Sequence, residues 1–113
     1  GTDSEIAVMP WGGSKGPSRE AYDHLVESGE KLGWYYTMYL NPLPEKLLEE
    51  LKQKDLVIVP ELNYLGQFSG VLRSQGVKAE SITQYTGLPF GVKDLQRRIA
   101  ERVAAEKGQR VPA

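Results

Sequence analysis

Leu56-Val57-Ile58-Val59 is the stretch that decides the fold. Four consecutive aliphatic residues, three of them β-branched, leave no polar side to turn toward water. That is the pattern of a strand covered on both faces, as parallel sheets flanked by helices require. A breaker-rich loop follows, Pro60-Glu61-Leu62-Asn63-Tyr64-Leu65-Gly66, and then a helical segment carrying Phe68, Val71 and Leu72 that Gly76 stops.

The same strand, loop and helix unit recurs on either side. Upstream, Ile6-Ala7-Val8-Met9 runs into Pro10-Trp11-Gly12-Gly13-Ser14-Lys15-Gly16-Pro17. A helix is predicted from Pro17 or Ser18 to Leu32, because Pro in a first turn gives up no intrahelical bond. Ala21, Tyr22, Leu25, Val26, Gly29 and Leu32 share its apolar face, and Gly33 is read as its stop. Trp34 to Leu40 is dense in aromatics and reads as a strand. Asn41-Pro42-Leu43-Pro44 is a turn into a short helix with Leu47, Leu48 and Leu51 on one side. Downstream, Ala79 to Tyr85 is a strand and Gly87-Leu88-Pro89-Phe90-Gly91 a loop. A last helix is predicted over Val92 to Lys107, with Leu95, Ile99 and Val103 four apart, and residues 108–113 are expected to fray.

The element string is βαβαβαβα, which predicts one α/β domain over residues 1–113, a three-layer αβα sandwich on a parallel sheet. Strands are expected at about 5–9, 34–40, 56–60 and 79–84. The first and third are the most uniformly small and aliphatic, so they belong in the centre, and the expected order is 2-1-3-4.

Composition narrows the function. The chain has 113 residues, 40% hydrophobic and 26% charged, as one globular domain would. It has no Cys, which removes disulfides, iron–sulfur ligation and thiolate catalysis from these residues. No apolar run approaches a membrane span and no signal-peptide pattern opens the chain, so a cytoplasmic protein without membrane contact is expected. Gly1-Thr2 in place of an initiator Met is expected of a piece of a longer chain. The net charge of −1 offers no field for nucleic acid. The charge is uneven: residues 1–60 hold 6 Lys/Arg and 10 Asp/Glu, residues 61–113 hold 8 and 5. Most of the basic excess lies on the last helix (Lys93, Arg97, Arg98, Arg102, Lys107, Arg110) and reads as a solvated face.

Three features could carry chemistry. Gly12, Gly13, Ser14, Lys15 and Gly16 sit where a strand meets a helix, a place that binds phosphate when backbone amides are free. The spacing fits neither a Walker A loop nor GxGxxG, and Pro17 removes a donor, so a turn that needs its glycines is the competing reading. His24, the single His, faces away from the apolar stripe and has no second ligand type beside it. Glu61 and Asn63 lie just past the third strand, where open α/β sheets bind ligands. Glu61 is suited to be a general base, a charge partner or a cap, and the simplest reading is a tether for neighbouring loop amides. Leu62, Tyr64, Leu65, Leu88 and Phe90 are apolar loop residues that either fold under or form a contact surface flanked by Glu61, Asn63 and Gln67.

Val57-Ile58-Val59-Pro60-Glu61-Leu62-Asn63-Tyr64-Leu65-Gly66-Gln67-Phe68 resembles the V-V-V-x-E-x-N-x-x-G-Q-hydrophobic segment of the 2-oxoacid:ferredoxin oxidoreductases. Trp11 to Gly16 is similar to their W-G-S-x-K/T-G turn, with Gly13 as a departure. Leu40 to Pro44 is similar to their L-x-P-hydrophobic-P turn. Tyr85 to Phe90 resembles the K-x-x-G-x-P-F segment of 2-oxoglutarate-type α subunits, with Gln84 or Tyr85 where Lys is common. The resemblance implies a transketolase-C-terminal-like domain of such an α subunit. It implies a parent enzyme that decarboxylates a 2-oxoacid to an acyl-CoA with thiamine diphosphate and Mg, and passes electrons through an iron–sulfur cluster to ferredoxin. This chain would hold no catalytic residue, cofactor or metal of its own. It would dock on other domains of the α subunit and on the β subunit, through Glu61, Leu62, Asn63, Tyr64, Leu65, Gln67, Leu88 and Phe90. The alternatives are a free-standing flavodoxin-like module binding a phosphorylated ligand at residues 12–18, and a domain of another thiamine enzyme.

Overall fold

In a computed structural model, which describes residues 4–37, 43–62, 67–84 and 90–110, Ile6–Val8 forms β1 and a 3-10 turn follows at Gly12–Ser14. The remaining elements are α1 (Lys15–Glu27), β2 (Gly33–Trp34), α2 (Glu45–Lys52), β3 (Leu56–Glu61), α3 (Gln67–Ser74), β4 (Ala79–Thr83) and α4 (Val92–Arg110). The four strands make one parallel sheet in the order β2-β1-β3-β4. β1 lies in register with β3 as Ile6↔Leu56, Ala7↔Val57 and Val8↔Ile58.

All six residues of β3 are buried. Alternate side chains go to opposite faces. Leu56 and Ile58 pack with Ile6, Val8 and Ile82 under α1 and α4, which contribute Tyr22, Leu25, Leu95, Ile99 and Val103. Val57 and Val59 pack with Ala7, Met9 and Ala79 under α2 and α3, which contribute Leu51, Phe68 and Leu72. Burying each such side chain fully is worth about 1.5–3 kcal/mol before ordering entropy is charged. The sheet is therefore the middle of three layers, in the order the aliphatic strands predict.

Three boundaries differ from expectation. α1 ends at Glu27, not Leu32, because Gly29 rather than Gly33 is the stop. Gly29 has φ +107°, its N–H donates to the Val26 carbonyl, and the Glu30 N–H donates to the Leu25 carbonyl. That pair of bonds closes a Schellman motif, which favours Gly at the left-handed position. α3 ends the same way at Gly76 (φ +93°), with Val77 donating to Leu72. β2 pairs only Gly33 and Trp34 with β1, and Tyr35 adds one bond to the Val8 carbonyl. The aromatic content of residues 34–40 favours a strand, but an edge strand pairs on one side only and here soon leaves the sheet; residues 38–40 lie outside the described set. α4 continues through Gly108 to Arg110, past the predicted end at Lys107.

Candidate functional site

The order β2-β1-β3-β4 places the reversal of strand order between β1 and β3. The carboxyl ends of these two strands frame the crevice in which open α/β sheets receive ligands. The chain after β1 stays stitched to β3: Met9 N–H donates to the Ile58 carbonyl at 2.9 Å and Trp11 N–H to the Pro60 carbonyl at 3.1 Å. Ser14, fully buried, donates its hydroxyl to the Pro60 carbonyl at 2.6 Å and also lies 2.9 Å from the Trp11 carbonyl. The Trp11 ring stacks on Phe68, with centroids 4.5 Å apart and planes 12° apart.

Glu61 completes the arrangement. It ends β3, is 1% exposed, and turns both carboxylate oxygens onto the first turn of α3. Oε1 accepts from the Phe68 N–H at 2.9 Å and Oε2 from the Ser69 N–H at 3.0 Å. A helix N-terminus presents unpaired amides and partial positive charge, so a carboxylate there is favoured on both counts. The place where a ligand's anion would sit on α3 is filled by the protein itself.

The residues singled out in the sequence divide as follows. Glu61 tethers amides, and they are those of α3. Phe90 is 4% exposed and belongs to the core beneath α1 and α4, with the Arg98 guanidinium 5.9 Å from its ring. Glu61 and Phe90 are therefore both buried within this chain. Leu62 is partly buried against the same core. Gln67 opens α3. Asn63, Tyr64, Leu65 and Leu88 lie outside the described residues.

In the glycine-rich turn, Gly12 takes φ +67°, Ser14 spends its hydroxyl inward, and Gly13 lies within the 3-10 turn. Lys15 is exposed, its Nζ 4.3 Å from the centroid of Tyr36, and Gly16 faces open space. His24 is exposed and its Nδ1 lies 3.2 Å from Gln96 Oε1, joining α1 to α4. Among the described residues no group of three or more His, Cys, Asp or Glu could hold a metal ion. No helix among them is long and apolar enough to cross a membrane. An open groove of about 700 Å³ lies at the other end of the sheet, where Asp55, Arg73, Lys78, Glu80 and Glu106 give it mixed charge.

Sequence reasoning missed two things. The sequence places Trp11 in a turn, yet its ring covers Phe68; no local spacing signals a contact between segments so far apart. The basic face of α4 was read as solvated, yet Arg98 and Arg102 donate to the carbonyls of Thr83 and Ser81.

Residues 4–86 match the family described as pyruvate:ferredoxin oxidoreductase core domain II. The chain is 37% identical over 103 residues to the 2-oxoglutarate oxidoreductase subunit KorA of Mycobacterium tuberculosis, covering 90% of this chain and 16% of that protein. It is 30% identical over 119 residues to 2-oxoacid:ferredoxin oxidoreductase 1, subunit alpha, of Aeropyrum pernix, covering 95% of this chain and 19% of that one. Among solved structures it superposes on the 2-oxoglutarate:ferredoxin oxidoreductase of Magnetococcus marinus with 2-oxoglutarate, coenzyme A and succinyl-CoA bound. The TM-score is 0.77 and the identity 31%, over 87% of this chain and 18% of that one. The chain thus spans less than a fifth of the length of these relatives.

Proposed function

The chain belongs to the pyruvate:ferredoxin oxidoreductase core domain II family, and on that premise we propose that it is the positioning domain of the α subunit of a 2-oxoglutarate-type 2-oxoacid:ferredoxin oxidoreductase. The observation that carries this reading is the filled crevice between β1 and β3. Trp11, Ser14 and Glu61, the groups best placed to meet a ligand there, bind Phe68, the Pro60 carbonyl and the α3 amides instead. A site so occupied by its own chain organises loops and leaves chemistry to other parts of the enzyme.

The parent reaction joins a 2-oxoacid and coenzyme A, releases carbon dioxide, and delivers two electrons to ferredoxin. Thiamine diphosphate with Mg would supply the decarboxylating chemistry and an iron–sulfur cluster the electron path. The described residues do not fit those groups: the sequence has no Cys for a cluster, and the acidic crevice residue Glu61 is already bidentate to α3. What this chain's residues do is hold the start of α3 against the end of β3. Leu62 with Asn63, Tyr64, Leu65, Gln67 and Leu88 would then meet the neighbouring domains and the β subunit, in the cytoplasm. The phosphate-binding alternative at residues 12–18 finds no support, because the Ser14 hydroxyl points into the protein.

The test is co-expression of the whole α subunit with its β subunit. Tyr64→Ala should weaken α–β assembly while this chain alone keeps its urea midpoint. The assembled enzyme should reduce ferredoxin with 2-oxoglutarate and coenzyme A in preference to pyruvate. Normal assembly of the Tyr64→Ala enzyme would move the docking surface elsewhere, and a preference for pyruvate would remove the 2-oxoglutarate assignment.

A further inference from the structure

Among the described residues β4 forms one edge of the sheet, pairing with β3 on one side only. An edge strand normally offers a row of unpaired backbone groups, a template for another strand. Which groups point outward follows from the ladder. The Lys78 carbonyl accepts from the Val57 N–H, so it faces β3. Backbone groups along a strand alternate sides, so the carbonyls of residues 79, 81 and 83 face away from the sheet.

Each of those three carbonyls is bound by an arginine. Arg73 Nη1 donates to Ala79 O at 3.1 Å, Arg102 Nη2 to Ser81 O at 3.2 Å, and Arg98 Nη2 to Thr83 O at 3.0 Å. Two helices on opposite faces supply them, α3 giving Arg73 and α4 giving Arg98 and Arg102. Two of the guanidinium groups are braced in turn. Arg102 Nη1 lies 2.6 Å from Glu80 Oε1 on β4 itself, and Arg98 Nη1 lies 3.8 Å from Asp94 Oδ2. Arg98 and Arg102 are one helical turn apart, while the carbonyls they meet are two residues apart on the strand. α4 therefore runs along the edge with the spacing needed to reach every second residue.

We propose that Arg73, Arg98 and Arg102 form a guanidinium seal on the free edge of β4, which stops the sheet from growing by strand addition. The strand excluded first is β4 of a second copy, which would pair antiparallel about a two-fold axis and close into a dimer. At the opposite end of the sheet, among the described residues, β2 pairs Gly33 and Trp34 with β1 and Tyr35 adds one further bond, a shorter ladder than that of β4. The seal goes beyond the positioning role. It says which side of the domain stays out of assembly, and its failure would leave the family assignment and the proposed docking loops untouched.

The test uses this chain with Arg98→Met and Arg102→Met together, which keeps the aliphatic stems packed and removes the donors. Arg97→Met is the control, because Arg97 sits on the same helix and pairs with Asp94 and Glu101. Sedimentation velocity should show the parent and the Arg97→Met chain as monomers, and the double variant with its weight-average mass at least doubling as concentration rises. Hydrogen exchange should then slow at residues 79–83 on association. A double variant that stays monomeric, one that associates without added protection at 79–83, or a parent that already pairs through β4 overturns the proposal. If the double variant loses its fold, the parent still decides: by NMR its Arg98 and Arg102 guanidinium protons should exchange with solvent more slowly than those of Arg97, and equal rates refute the seal.

Discussion

Replacing Glu61 with Gln is the sharpest test of the crevice. The change keeps the side-chain length and one oxygen, but puts an NH₂ group against either the Phe68 or the Ser69 N–H. One bond to a charged acceptor is lost, worth about 1.5–3 kcal/mol net, and one buried amide is left facing a donor, at about 1–3 kcal/mol. The surviving bond weakens because its acceptor is now neutral. Against this, a neutral side chain no longer carries the desolvation cost of a carboxylate that is 1% exposed, which returns part of the loss. The net expectation is a loss of about 2–3 kcal/mol, from a domain whose total stability is of order 5–15 kcal/mol. Urea unfolding at pH 7 should show it as a midpoint lower by about 1–2 M with an unchanged slope. The damage should be local as well. Amide exchange at Phe68 and Ser69 should accelerate more than exchange in β1 or α4. A Gln variant within about 0.5 kcal/mol of the parent, with those two amides still protected, would mean that the charge of Glu61 does not anchor α3.

Among the described residues the buried Ser18 hydroxyl has no hydrogen-bond partner, so Ser18→Ala should raise stability by about 1 kcal/mol, from the relieved desolvation and the better helix former together. A lower urea midpoint for that variant would show that the hydroxyl has a partner in solution. Tyr35 titrates above its ordinary value of 10.0, first because burial disfavours the phenolate, then because of the Glu50 charge and a hydrogen bond to Glu50. The folded chain keeps this proton where the unfolded chain has lost it. That contribution is complete below the unfolded value and drains away as pH rises through the folded one. Thermal melts from pH 8 upward should therefore fall less steeply for Tyr35→Phe than for the parent, and parallel curves would count against the linkage.

The sheet order is legible in the sequence for a physical reason. The two strands that must be covered on both faces, Ile6–Val8 and Leu56–Glu61, have no polar alternation, and that fact alone puts them in the centre. The helix phases followed from apolar spacing, and α4 buries Leu95, Ile99 and Val103 as that spacing requires. The misplaced boundaries share a cause. Gly29 fits the apolar face of α1 as well as it fits a stop, and only the bond from Glu30 to Leu25 distinguishes the two. The aromatic run from Trp34 has the propensity of a strand, but its pairing depends on what lies beside it, and among the described residues β2 has a neighbour on one side only.

The crevice was harder to read for a chemical reason. A glycine-rich turn after the first strand and an acid after the third are what a ligand site and a self-filled site have in common. Both need small residues where backbone approaches backbone, and both need a charged group near helix amides. The difference lies in who supplies the opposite partner, which is a long-range fact. Ser14 finds the Pro60 carbonyl 46 residues away, and Trp11 finds Phe68. Glu61 was more tractable because its partners are near: an acid seven and eight residues before two amides can reach them across a single loop. The Glu61 carboxylate occupies the first amides of α3. A phosphate or carboxylate ligand arriving at α3 would have to displace an intramolecular acceptor that makes two hydrogen bonds and bears the same charge. An outside ligand would also give up translational and rotational freedom that Glu61, being tethered, does not lose. Repulsion and this entropic handicap act in the same direction, so the crevice favours its own side chain over an anion.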